Sequence, residues 1–155
     1  DPTELSANDV MAMAMRYLGR REHARLELLR KLSQRGVDEN LANAVIDDLA
    51  EQNLQSEERY AESHTRQRVS KCFGLNRIRM ELRGKGIDDA LVATVLEPYA
   101  NDWYDLARDW ATRKHRGELN EKARARLYRG GMNRGFTHDQ IMRAIDHLRS
   151  ELREG

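Results

Sequence analysis

Leu32-Ser33-Gln34-Arg35-Gly36-Val37-Asp38 returns as Leu82-Arg83-Gly84-Lys85-Gly86-Ile87-Asp88, and in looser form as Met132-Asn133-Arg134-Gly135-Phe136-Thr137. The turn glycines stand 50 and 49 residues apart. Glycine ends a helix in the left-handed conformation without a Cβ clash. Asp38, Asp88 and Thr137 then cap the next helix. The apolar residue before each cap staples to the fourth helical position: Val37 to Ala42, Ile87 to Val92, Phe136 to Ile141. Thr137 and Gln140 also form a capping-box pair.

Working outward, the apolar register repeats with the turns. Leu28, Ile78 and Leu127 stand eight residues before the glycines. Ile46, Leu96 and Ile145 stand ten after, and Leu49, Tyr99 and Leu148 thirteen after. Spacings such as Met11, Met15, Leu18 and Ile141, Ile145, Leu148, Leu152 are helical. Strand alternation and hairpin turns are missing. The pattern predicts nine helices, at 8–20, 24–34, 38–52, 57–70, 74–84, 88–100, 101–115, 119–133 and 137–153. They group into three units of three helices: 1–55, 56–101 and 102–155. No Pro-, Gly- or Ser-rich linker divides them, so the units are expected to pack together.

The chain has 155 residues, 34% charged, with a net charge of only +1. Taken whole, that balance predicts neither a nucleic-acid nor a membrane partner. Its distribution says otherwise. Residues 36–58 carry seven acids and no Lys or Arg; residues 59–86 carry eight bases and two acids. Residues 87–107 carry five acids and no base; residues 108–135 carry nine bases and three acids. A repeated basic second helix is the footprint of phosphate binding. The plain alternative is dipole complementarity and pairing between helices. That account covers Asp38, Glu39, Asp88 and Asp89 but not the run Arg66, Arg68, Lys71, Arg77, Arg79. The helix at 57–70 is polar almost all round, so it is weakly driven to pack and suited to a binding surface.

Catalytic chemistry has little support. His23, His64, His115, His138 and His147 form no His-x-x-x-His pair, and no metal site is expected. Cys72 is the single cysteine, which fits a reducing compartment and a buried or interfacial thiol. No phosphate-cradling Gly loop follows a strand, so no nucleotide cofactor is expected. Asp1-Pro2-Thr3-Glu4 does not read as a signal peptide, and no apolar run approaches the ~20 residues of a membrane span. Trp103, Leu106 and Trp110 read as core of the third unit. A helix-turn-helix repressor is disfavoured, because the third helix of units one and two is acidic and would meet phosphate charge.

These residues resemble the RecX family, regulators of the bacterial recombinase RecA. The likeness rests on Arg20-Arg21-Glu22-His23-Ala24 with Glu27-Leu28, Lys31-Leu32 and Arg35-Gly36. It continues in Arg59-Tyr60-Ala61 with Arg66, then Phe73-Gly74, Ile78, Glu81-Leu82 and Lys85-Gly86-Ile87. It ends in Lys122, Arg124 and Arg134-Gly135-Phe136. The chain departs from the family at Ala24, where Ser is frequent, at Cys72, where Gly is common, at Leu75, where Pro is common, and at His64. The resemblance implies an all-α fold of three tandem three-helix repeats in an elongated, curved arrangement. It implies a cytoplasmic, non-enzymatic protein without cofactor that binds RecA, chiefly the RecA–DNA filament, and inhibits it. That would touch recombination, DNA repair and the SOS response. The contact candidates are then Arg66, Arg68, Lys71, Arg77 and Arg79 on the middle unit, with Arg124 and Arg126 as a second patch. Contact with DNA, either direct or only through RecA, would accompany this, and no membrane is involved. The alternative is a stand-alone, non-specific nucleic-acid-binding helical module.

Overall fold

In the computed structural model residues 4–154 are described; Asp1–Thr3, with the polar opening, and Gly155 lie outside them. Among the described residues the regular elements are all helical. They are α1 Ala7–Arg20, α2 Arg25–Gln34, α3 Glu39–Glu51, α4 Glu57–Ser70, α5 Leu75–Gly84, α6 Asp89–Leu96, α7 Trp103–Lys114, α8 Glu121–Arg134 and α9 His138–Glu154. The helix expected over 88–100 stops at Leu96 and gives way to a 3-10 turn, Glu97–Tyr99. Pro98 is the cause: it has no N–H for the carbonyl four residues back, and its ring crowds that turn.

The three repeated turns are built alike. Gly36, Gly86 and Gly135 have φ of 84°, 80° and 100°. In each, the residue after the glycine donates its N–H back into the helix at 3.1 Å: Val37 to Leu32, Ile87 to Leu82, Phe136 to Gly131. The caps follow. Asp38 accepts from the N–H groups of Asn40 and Leu41, Asp88 from Leu91, and Thr137 exchanges bonds with Gln140. Both members of each staple pair are buried, so the turn and the core are fixed by the same residues.

Each unit has its own core. Leu28, Leu32, Ile46 and Leu49 are fully buried in the first, each worth roughly 1.5–3 kcal/mol over an exposed position. The cores also interlock. Ala24, at the α1–α2 corner, lies in the second core, and Cys72, at the matching α4–α5 corner, lies in the third. Trp103 corrects the expectation of a third-unit stripe: it packs in the second core, Trp110 in the third, and Leu106 against both. The resulting row of units exposes 9594 Å², against about 8000 Å² for a compact chain of this mass.

α4 does bury Tyr60, Ala61 and Thr65 despite its polarity. Its polar residues pack by pairing: Glu57 and Arg59 reach back to unit one, while His64 and Arg68 hold Glu81 on α5. Much of the surface expected to be free is therefore occupied.

Candidate functional site

A helix start needs partners for its first N–H groups. Gly74 stands at the cap position before α5 and has no side chain to supply one. The end of α8 supplies them instead. Gly74 donates its N–H to the Arg134 carbonyl at 2.7 Å, and Asn76 donates to the Gly135 carbonyl at 2.9 Å. The negative end of one helix thus meets the positive end of another. The backbones touch so closely that a Cβ on Gly74 would overlap the Gly135 carbonyl, and one on Gly135 would overlap Arg77.

Cations crowd the joint made this way. Arg134 donates to the carbonyls of Lys71 and Cys72 and lies 3.8 Å from the Phe73 ring centroid. Arg68 and Arg77 approach the same ring at 4.7 and 5.5 Å. Arg77 also donates to the Asn133 carbonyl at 3.0 Å. One carboxylate, Glu81, answers this charge: Arg68 binds it at 2.9 Å, Arg77 at 3.2 Å and His64 at 2.9 Å. Burial alone would raise the Glu81 carboxyl, but bonds from His64 and Arg77 and the Arg68 charge outweigh it and hold it below its ordinary value. Arg134 has no carboxylate partner among the described residues, and burial with the Arg77 and Arg68 charges depresses its pKa. Arg113 places Nη1 3.8 Å from the buried Cys72 Sγ. Cys72 has φ of 58°, which explains why glycine suits this position. Exposed Lys71 and Arg113 stand at this corner, and neither is paired with an acid among the described residues. An incompletely neutralised cluster of guanidinium and ammonium groups is suited to phosphates or carboxylates.

The contact candidates do not form one patch. Arg68 and Arg77 meet on Glu81 and hold the joint together. Arg66 and Lys71 are exposed. Arg79 points to the other side of α5, into a groove with Arg83, Asp89, Val92, Leu96 and Trp103, and touches Asn76 Oδ1 at 3.4 Å. On α8, Arg126 is exposed, whereas Arg124 is half-buried with its Nε enclosed and unpartnered; two residues apart on a helix, they face different ways. Arg134, Arg113 and the structural use of Phe73 are the residues that sequence reasoning left out. Arg134 carries a legible signal, because a base precedes the glycine in every turn: Arg35, Lys85, Arg134.

The joint between units one and two solves the same problem with side chains. Ala24 cannot cap α2. Glu27 accepts its N–H at 3.1 Å, and Glu57 accepts that of Arg25 at 2.7 Å. Glu27 also binds Arg21 through both oxygens and Lys85 at 3.4 Å. Burial would raise its pKa; Arg21, the Ala24 N–H and Lys85 bring it down to about 2. His23 is 1% exposed, with Nδ1 3.0 Å from the Arg21 carbonyl and Nε2 2.8 Å from Lys31 Nζ. Burial foremost lowers its pKa from the ordinary value. This joint leaves little charge unanswered.

Among the described residues no group of three His, Cys, Asp or Glu side chains could hold a metal, and no helix is long and apolar enough to cross a membrane.

Comparison with known proteins gives one consistent result. Family models described as the first, second and third three-helix domains of RecX match residues 11–49, 56–96 and 101–145. The chain is 38% identical over 138 residues to a protein named Regulatory protein RecX from Ectopseudomonas mendocina strain ymp, covering 88% of this chain and 92% of that one. It is 40% identical over 134 residues to the protein of that name from Pseudomonas syringae pv. tomato, covering 85% and 86%. Among solved structures, RecX from Lactobacillus salivarius superimposes with a TM-score of 0.74 at 23% identity, over 92% of this chain and 96% of that one, a likeness of fold.

Proposed function

The chain belongs to the RecX family, and on that premise we propose that it regulates RecA, mainly as an inhibitor, by binding the RecA–DNA filament. It would do so in the cytoplasm, without cofactor or catalysis, and thereby modulate recombination, repair and the SOS response. The three units, 1–55, 56–101 and 102–155, act as successive contact modules along the filament. The observation that carries this reading is the incompletely neutralised basic corner where the middle unit meets the third. Lys71 and Arg113 are the groups available to phosphates or to acidic side chains there, with Arg66 exposed on α4; Arg68, Arg77 and Arg134 hold the corner in shape.

The test is ATP hydrolysis by RecA on single-stranded DNA with the protein added. Inhibition is expected, and the combined Arg66→Ala, Lys71→Ala, Arg113→Ala variant should inhibit at least tenfold less well with unchanged helicity. No inhibition by the unaltered protein overturns the reading. Tight, steeply salt-dependent DNA binding without RecA, and no effect on RecA, would instead mark a stand-alone nucleic-acid-binding module.

A further inference from the structure

The repeated turn occurs in three states. Gly135 is buried against the backbone of Arg77. Gly86 is exposed, but the Leu26 side chain stands 3.6 Å from where its Cβ would be. Gly36 is exposed and has nothing within 4 Å of that point. The base before each glycine follows the same series. Arg134 binds carbonyls and an aromatic ring of the preceding unit, and Lys85 binds Glu27 of the preceding unit. Arg35 is exposed and has no partner among the described residues. In the two covered cases the occupant is alike: the N-terminal corner of a helix with no side-chain cap of its own.

We infer that the Arg35–Gly36 turn of unit one is a docking surface for a protein partner, and that the occupant is a helix N-terminus carrying a carboxylate or aromatic residue. Charge complementarity favours it. The α2 terminus offers carbonyls at the negative end of its dipole to the occupant's N–H groups, and Arg35 offers a cation to its side chain. A depression of about 650 Å³ beside the turn is walled by Leu5, Val37 and Leu41 and also by Glu4 and Asp38; the apolar side chains receive the occupant's apolar flank, and the two acids favour the positive end of the occupant's helix. A second copy of this chain is the poorer fit. The matching corner at its far end, the start of α8, is already closed by Asn120, which accepts the Ala123 N–H at 2.9 Å. The inference rests on the filament reading for the identity of the partner, which would be the recombinase protein rather than its DNA.

The test attaches a benzophenone at Gln34→Cys in the full chain, Cys72 being buried, and irradiates it with RecA filaments on single-stranded DNA. A covalent adduct with RecA is expected. Arg35→Glu should weaken filament binding about tenfold and remove the adduct. Gly36→Asn, which keeps the left-handed turn because Asn tolerates it, should do the same with unchanged thermal stability. Co-sedimentation with the filament but no RecA adduct overturns this surface alone. So does an adduct only with DNA, with the chain's own N-terminal segment, or with a second copy. Failure to co-sediment overturns the filament reading and this surface together.

Discussion

The joint between units one and two and the joint between units two and three occupy equivalent places in the repeat and are made of different matter. Both must satisfy the start of an uncapped helix. The first uses the carboxylates of Glu27 and Glu57; the second uses the carbonyls of Arg134 and Gly135. A carboxylate brings a full charge, so Arg21 and Lys85 are neutralised where they stand. A carbonyl brings none, so Arg134 keeps its charge, and Glu81 alone answers Arg68 and Arg77. The choice of cap at a helix start thus decides which face of the molecule stays basic.

The largest effect should come from forcing side chains into the two kinds of turn. Gly135→Ala places a methyl group into Arg77 at a φ that L-residues rarely adopt, and urea unfolding should show a loss of several kcal/mol. Gly36→Ala carries only the conformational cost, about 1–2 kcal/mol. Equal losses would mean that the second joint is not the tight one.

Acid should weaken both joints, because Glu27 and Glu81 are each held below their ordinary values, and the first more strongly. The Glu27 pKa is about 2 against an ordinary 4.5, so its stabilisation, about 3 kcal/mol, is complete above pH 4.5 and fades as pH falls toward 2. His23, with a depressed pKa, adds a loss that begins as pH drops through its ordinary value of 6.5. Glu27→Gln should lower stability at pH 7 by about 3 kcal/mol and flatten the acid limb of a stability–pH profile. An unchanged profile would show that this carboxylate is not the linked group.

The smallest effect is expected at Ala24. Serine there would normally add about 1 kcal/mol as a helix cap. Glu27 already holds the corner, so Ala24→Ser should change the unfolding free energy by no more than about 0.5 kcal/mol. A larger gain would show that the carboxylate cap is weak.

What the sequence made legible is what is local. The glycine turns, the caps at Asp38, Asp88 and Thr137 and the staples each depend on residues within a few positions of one another. The nine helices followed from them, except where Pro98 cut one short. The joints were not legible, because Arg134 meets Phe73 across 61 residues and Arg25 meets Glu57 across 32. Periodicity alone could not assign Trp103 to the core of the preceding unit. The candidate basic patch was visible as composition, but Glu81 decides which of its members are engaged, and that pairing appears only when α4 lies beside α5.

The carbonyl cap on α5 sets an order of events during synthesis. Unit one has its corner closed once Glu57 has been added to the growing chain, since Glu27 lies within the helix it caps and Glu57 follows soon after. The middle unit must wait until residue 135 has left the ribosome, because the groups that finish α5 belong to the last third of the chain. At the usual pace of translation that is a delay of about 4–16 s. For that interval Phe73 and the bases beside it lack Arg134, and a nascent chain arrested just short of residue 134 would carry one finished unit and one with its second helix still frayed at the start.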